Sequence, residues 1–346
     1  MFKVNGREIG AGQKPYIIAE LSANHAGSIQ RAKDTMLAAK RAGADAIKIQ
    51  SYTPDTMTID SDKSDFTIEH GLWKGYSLYQ LYEEASTPFE WHSELFSYAK
   101  KINITLFSTP FDETATDMLY ELEVPAFKIS SFELTDLPLI EYVAKKGKPM
   151  FISTGMSSLE EIGEALEACY KVGNRDILLF HCISTYPAEL EETCLGDLRY
   201  IANHFRIDVG LSDHTKDYKA ALIATALGAV AIEKHFILNK RDKTTDSFFS
   251  SDPKEFKEMV DAVKVVNKGL GKEKFKRSSY ELKNRIFRRS IYFTQNVKRG
   301  QTIKLEHIKR IRPGYSLQPK FFSKVLGKKL LKDVKKGQRV TWTLLK

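Results

Sequence analysis

The sequence predicts an α/β protein: a closed (β/α)8 TIM barrel followed by a small β-rich domain. Three observations carry that expectation. Short, almost uninterrupted apolar runs alternate with amphipathic stretches as far as Gly271. Polar residues stand at the end of each run. Beyond Gly271 the alternation stops, and one charged phrase appears twice. Near-continuous apolar strands suit a parallel sheet covered on both faces, and strict strand–helix alternation suits parallel α/β. An open doubly wound sheet is the rival, but it gathers its polar residues at one switch point. Here they recur at every strand end, as on the carboxyl rim of a barrel.

In order, the strand candidates are residues 16–20, 45–50, 104–108, 126–130, 149–153, 177–182, 208–211 and 229–233. Amphipathic stretches at 29–42, 114–122, 159–172 and 216–227 supply covering helices. Ser158 with Glu160 and Glu161 makes a helix start, and Pro253 opens a helix that runs to Gly269. Between the second and third strands lies a long insert, 51–87, with Trp73, Tyr76, Tyr79 and Tyr82 beside Leu78 and Leu81. Loops of that length inside a compact domain are functional lids or disordered inserts. So many aromatics favour an ordered insert, most of them packed in its core, with a sugar-facing platform as the sharper alternative.

The phrases NVKRGQTI (296–303) and DVKKGQRV (333–340) each read as strand, charged turn, strand, so the tail is expected to be a pseudosymmetric β domain. The domain expectation is a catalytic barrel over 1–271, a charged linker over 272–285 and the small domain over 286–346. From residue 271 onward the chain holds 23 of its 53 Lys+Arg and 4 of its 44 Asp+Glu, leaving 30 against 40 in the remainder. A basic tail on an acidic body fits a nucleic-acid arm, a module packed on the acidic body, or a cover for an anionic substrate. Few aromatics in the tail sit in stacking patterns, which disfavours nucleic acid. The longest apolar run, 220–232, is too short to cross a bilayer, and MFKVNGREIG has no signal-peptide core. The odd set Cys169, Cys182 and Cys194 lacks metal-ligand spacing. The expectation is a cytoplasmic protein with no membrane partner.

Strand ends supply the candidate chemistry. They are Glu20 with Ser22-Ala23-Asn24-His25, Lys48 and Gln50, Ser108 and Thr109, Lys128 with Ser130, Ser131 and Glu133, and Ser153-Thr154-Gly155. The later strands add His181 and Ser184, Ser212 and His214, then Glu233 and His235. Two lysines and a ring of hydroxyls at one barrel face make an oxyanion or phosphate cradle, although a strand-end Ser or Thr commonly just caps the next helix. A lysine inside a barrel needs an anionic partner. His214 and His235 end the last two strands, and neighbouring strands lie about 5 Å apart, so the two imidazoles can share one metal ion. Two histidines leave most coordination positions open, which suits an exchangeable Mn²⁺ or Mg²⁺. His70 and His92 in or near the insert are weaker ligand candidates.

IAELSANHAGS (18–28), GADAIKIQ (43–50), FSTPFD (107–112), KISSFE (128–133), STGM (153–156), GLSDHT (210–215) and EKHF (233–236) together resemble the sialic acid synthase superfamily. RRSIY (288–292), VKRG (297–300) and IRPG (311–314) resemble its antifreeze-like SAF domain. The resemblance spans nearly the whole chain in the right order. It implies condensation of phosphoenolpyruvate with an N-acetylated sugar to a nonulosonic acid and phosphate. It also implies a divalent metal (Mn²⁺, with Mg²⁺ or Co²⁺ as alternatives) and a homodimer in which the small domain of one subunit closes the other's site. The insert segment 71–92 is similar to that of the pseudaminic acid synthases, which use 2,4-diacetamido-2,4,6-trideoxy-L-altrose. Neuraminate and legionaminate synthases, the alternative branch, carry Gly-Pro-Asp-His soon after EKHF, where this chain has Thr244-Thr245-Asp246-Ser247-Phe248.

Carried over by position, the resemblance implies His214 and His235 for the metal. It implies Lys48, Ser108, Lys128, Ser153, Ser184 and Ser212 for phosphoenolpyruvate, with Ser184 in place of an amide side chain. Glu20, Glu133 and Lys128 would be catalytic, and Asn24, Gln50, Tyr186, Asp246 and Arg312 would meet the sugar. Two other readings stay in view: a Schiff-base aldolase acting through Lys128, and a nucleic-acid binder acting through the basic tail.

Overall fold

A computed structural model describes residues 2–69, 73–271 and 275–346. It opens on a hairpin, β1 (Phe2–Val4) and β2 (Arg7–Ile9), turned at Asn5-Gly6 with both residues at positive φ. An Asn-Gly pair is the favoured two-residue hairpin turn because both tolerate that conformation. Eight parallel strands then close a barrel: β3 (Tyr16–Glu20), β4 (Ala46–Ser51), β5 (Thr105–Pro110), β6 (Phe127–Ile129), β7 (Met150–Ser153), β8 (Ile177–Cys182), β9 (Val209–Asp213) and β10 (Ala231–His235). Closure is by β10 on β3, with His235 opposite Glu20; on the other side Glu20 faces Lys48 of β4. That register lines up groups from three consecutive strands on one rim.

Apolar residues fill the lower barrel. Phe107, Phe151 and Phe180 stack edge to face at 5.1 and 5.7 Å, and Phe2 of the hairpin meets Phe151 at 6.0 Å. Gly210 leaves room for this layer, since a Cβ there would come within 2.9 Å of the Phe180 ring and the Ala231 carbonyl. The helix 159–171 starts on the expected box: Ser158 Oγ accepts from Glu161 N at 3.2 Å, and the Glu161 carboxylate accepts from Ser158 N at 2.7 Å. Pro253–Leu270 opens at Asp252 in the same way. The helix expected from residue 216 begins only at Lys219, because Asp217 accepts from Lys219 N at 2.8 Å and acts as a stop before it.

The insert is ordered over its described part. It holds a turn of helix (Pro54–Met57), a Thr67–Ser77 bridge and the helix Leu78–Ala85, capped by Ser77 and Gln80. His70 lies outside the described residues.

The chain divides into compact units at Met1–Lys272 and Glu273–Lys346. Part of the stretch expected to be a linker is helical, Ser279–Lys283. The second unit has its own apolar core, including Ile291, Phe293, Val325 and Val340, and two regular strands, β11 (Ser290–Phe293) and β12 (Ile308–Ile311). The repeated phrases are not strand–turn–strand units. Each is a tight turn flanked by single bridges, and the two turns pair with each other. Val297 and Val334 exchange backbone hydrogen bonds at 3.0 and 2.9 Å. Gln301 and Gln338 each accept from the backbone three residues back, at Lys298 and Lys335, and Gly300 and Gly337 share a positive φ.

Candidate active site

At the carboxyl end of the barrel a cavity of about 460 Å³ is lined by residues from most of the strands and from the insert. Its charged floor is a buried cluster. Lys48 Nζ lies 2.7 Å from Glu20 Oε2 and 3.3 Å from Glu233 Oε1, and Lys128 Nζ lies 3.2 and 3.3 Å from the two Glu233 oxygens. Ser212 Oγ donates to Glu233 at 3.3 Å. Both lysines belong to strand interiors, so alternation points them inward. The acid they need is the strand residue two before His235.

Two carboxylates share two ammoniums here, and their states differ. Burial pushes the Glu20 carboxyl up to about 7 against the pull of Lys48, whereas Lys128 and Lys48 hold Glu233 below the usual carboxylate range despite its burial. Glu233 is therefore the fixed counter-charge and Glu20 the proton-carrying member. Burial holds Lys128 below its ordinary value. Its ammonium also sits 5.0 Å over the Phe180 ring.

Beside the cluster, hydroxyls converge. Ser130, Ser131, Ser153, Ser184 and Ser212 line the cavity. Gly155 N donates to Ser131 Oγ at 3.2 Å, and a Cβ on Gly155 would fall 2.3 Å from Ser184 Oγ and 2.8 Å from Ser131 Oγ. Only a glycine lets both hydroxyls close over that backbone. Glu133 accepts from Ser130 Oγ, and burial raises its pKa.

His214 and His235 face the same cavity with ring centroids 5.4 Å apart. His214 Nδ1 lies 2.9 Å from the Ile183 carbonyl. A carbonyl only accepts, so this nitrogen carries the proton and Nε2 keeps its lone pair. Burial keeps His235 neutral, well below its ordinary value, and its Nδ1 is buried without a hydrogen-bond partner, 3.6 Å from Asp246 Oδ2. His214 differs: against its burial, the neighbouring Cys182 and the Ile183 carbonyl raise its pKa. Two oriented imidazoles with a carboxylate beside them fit a divalent cation, which would compete with a proton at His214. Among the described residues no set of three or more His, Cys, Asp and Glu side chains forms a metal cage.

Several predicted site residues are not among those lining this cavity. Ser108 points to the helical layer, away from the lysines: it donates to the Ile49 carbonyl at 3.0 Å and lies 2.6 Å from Ser51 Oγ. Thr109, one residue on, faces inward at 3.5 Å from Lys48 Nζ. The period of two along a strand puts Thr109, not Ser108, on the parity of Phe107. Asn24 is fully buried and spent on structure: it donates to the Phe236 carbonyl (3.0 Å) and Ser250 Oγ (2.8 Å) and accepts from Thr244 Oγ1 at 2.5 Å. Glu20 lies behind Lys48 and Gln50, outside the cavity lining. His92 is satisfied on both nitrogens, by Ser51 Oγ at 2.6 Å and the Pro88 carbonyl at 3.1 Å, and is no ligand. Arg312 is an exposed residue just after β12 in the second unit.

Gln50, Tyr186 and Asp246 do line the cavity. Tyr186 packs on His214 (4.4 Å) and Phe249 (5.2 Å), and Trp73 of the insert reaches Tyr186 at 6.4 Å. Tyr82 also lines the cavity, while Tyr79 turns outward to donate to Asp55 at 3.3 Å. Sequence reasoning passed over Glu233 as the lysines' partner, and also Tyr52, Phe111 and Cys182 in the lining. Strand parity was the available signal for Glu233; Tyr52 and Phe111 follow strand ends, where no period fixes the face, and Cys182 closes β8.

Fold and site together define a barrel enzyme whose charged and hydroxylic groups gather at the carboxyl rim. Residues 35–275 match the NeuB family and residues 288–346 the SAF domain, so the chain belongs to the NeuB family. A pseudaminic acid synthase from Campylobacter jejuni is 46% identical over 325 residues, covering 94% of this chain and 95% of that protein. One from Helicobacter pylori is 43% identical over 324 residues, 93% and 95% of the two chains. Among solved structures, the N-acetylneuraminic acid synthetase of Leptospira borgpetersenii in complex with citrate superimposes with a TM-score of 0.75 at 28% identity, over 82% of this chain and 94% of that one.

Proposed function

We propose that this protein condenses phosphoenolpyruvate with 2,4-diacetamido-2,4,6-trideoxy-L-altrose and water to give pseudaminate and phosphate. The observation that carries the reading is the Lys48–Glu233–Lys128 cluster facing the same cavity as the His214–His235 pair. Similarity to two pseudaminic acid synthases over nearly their full length supports the branch. So does the Thr244–Phe248 stretch, which lacks the proline and histidine expected of neuraminate and legionaminate synthases.

In this reading Lys48 and Lys128 hold the anionic donor by charge-assisted hydrogen bonds, and the Ser131, Ser153, Ser184 and Ser212 hydroxyls complete the cradle. C3 of phosphoenolpyruvate attacks the aldehyde carbon of the open-chain sugar, leaving positive charge at C2. Glu133 lies in the cavity to stabilise that charge and to orient the water that adds there. The tetrahedral intermediate expels phosphate by C–O cleavage. The added water loses two protons: one reaches the aldehyde oxygen, a relay for which Glu133 with its raised pKa is suited, and the other leaves with the phosphate as C2–OH becomes the carbonyl. His214 and His235 would hold a divalent cation, which when bound supplies Lewis-acid polarisation of the aldehyde. The reading includes a homodimer in which Arg312 meets an N-acetyl group of the acceptor.

Bridging-¹⁸O phosphoenolpyruvate tests the reaction type. Label recovered in the released phosphate is expected; unlabelled phosphate overturns the reading. One observation favours a second mechanism: burial holds the Lys128 amine below its ordinary value, which suits a Schiff base. Borohydride trapping of an adduct at Lys128 would establish that alternative, and the condensation mechanism expects none.

A further inference from the structure

One buried ion pair close to the site takes no part in the chemistry above. Lys234 Nζ lies 2.8 Å from Asp213 Oδ2, and both side chains are only 1% exposed. Alternation along β9 and β10 turns these two residues toward the helical layer, since Ser212, His214, Glu233 and His235 line the cavity. The same ammonium donates to the Thr215 carbonyl at 2.6 Å. Asp213 Oδ1 in turn accepts from the Thr215 backbone N–H at 2.9 Å and from Thr215 Oγ1 at 2.7 Å. The residues on either side of His214 are thus tied to the one residue that stands between Glu233 and His235.

The backbone ladder shows why such a tie matters. Pairing of β9 with β10 ends at Asp213 opposite Lys234, one residue short of His214. Past that point His214 is held from the loop after β8, where Ala188 N donates to the His214 carbonyl at 3.0 Å. On the β10 side the Lys234 side chain takes over from the ladder. A buried ion pair adds little stability over apolar side chains of the same volume, because desolvation offsets the attraction. It does fix a distance, and here that distance separates the backbones that carry His214 and His235. We propose that Lys234 and Asp213 are positioning residues, whose ion pair holds the two imidazoles at the spacing a shared divalent cation requires. The inference rests on the metal role given to the histidines above and adds residues that never touch the cation.

Mn²⁺ binding to the full-length protein, followed by electron paramagnetic resonance of the free ion, tests this independently of turnover. Lys234→Met removes the ammonium and keeps most of the stem. Asp213→Asn combined with Lys234→Met removes both charges and leaves an acceptor for Thr215 N. The double variant serves should a lone buried carboxylate unfold the single one. Both should bind Mn²⁺ about 10- to 100-fold more weakly, the usual worth of groups that orient a metal's ligands. The Mn²⁺ concentration for half-maximal phosphate release should rise by the same factor, with kcat at saturating Mn²⁺ and KM for phosphoenolpyruvate within a few-fold of wild type. Unchanged Mn²⁺ affinity in the folded double variant overturns the proposal. So does a KM for phosphoenolpyruvate that rises as far as the Mn²⁺ dissociation constant, which marks a general loosening of the barrel rim. If the wild-type protein binds no Mn²⁺, or binds it equally well after His214→Ala, the metal reading itself fails and takes this inference with it.

Discussion

Glu20 and Gly155 show how single positions set this site. The carboxyl of Glu20 is pushed up to about 7 by burial, from an ordinary value near 4.5. A folded-state pKa above the unfolded one means its stabilising contribution is complete below about pH 4.5 and is lost as pH rises through about 7. The loss is on the order of 3 kcal/mol. Denaturant unfolding at pH 5 and pH 8 should show wild-type stability falling across that window, and Glu20→Gln should flatten the fall. Gly155 tests the cradle. Alanine there meets Ser184 and Ser131 hydroxyls at 2.3 and 2.8 Å, so both must swing away from the place proposed for the donor. Steady-state kinetics of Gly155→Ala should show KM for phosphoenolpyruvate raised about 10- to 100-fold, the worth of a hydrogen bond or two to a charged group, with the melting temperature nearly unchanged.

The loop after β10 shows what one buried amide does for an element. Asn24 holds that loop at Phe236, Thr244 and Ser250, and the loop carries Thr245 and Asp246 into the cavity. Asn24→Ala should destabilise the fold by roughly 1–3 kcal/mol in chemical denaturation. It should raise KM for the acceptor more than for phosphoenolpyruvate. The barrel strands were legible because a strand buried on both faces must be apolar along its length, whatever its neighbours. Face within a strand was harder: Ser108 and Thr109 look alike in composition and differ only in parity. The first hairpin escaped notice because three-residue strands have no measurable period, although Asn5-Gly6 announces the turn. In the small domain the repeated phrase was legible as a repeat but not as mutually paired turns, since a single bridge leaves no alternation to read. The lysines were legible as needing an acid, and Glu233 was within sight of His235, but which carboxylate answers which lysine is a matter of distances.

At the scale of the whole molecule, the functional groups are gathered from distant points of the chain by barrel closure alone. Positions as far apart as Glu20 and His235 become register neighbours. The small unit carries most of the excess basic charge while the barrel is net acidic. No helix among the described residues is long and apolar enough to cross a membrane. The proposed metal dependence has a readout separate from turnover. Mn²⁺ at 100 times its dissociation constant should add about 2.7 kcal/mol to the folded state, seen as a rise in melting temperature. His214→Ala and His235→Ala should each abolish that rise, and EDTA should abolish turnover while leaving the far-ultraviolet circular dichroism intact. A metal-stripped protein with full activity would contradict the role given to the two histidines.

Phosphate release from phosphoenolpyruvate in the presence of Mn²⁺, measured side by side with 2,4-diacetamido-2,4,6-trideoxy-L-altrose and with N-acetylmannosamine, bears most directly on the account. Rapid release with the altrose derivative and little with N-acetylmannosamine is the expected result. Release with N-acetylmannosamine alone would contradict it.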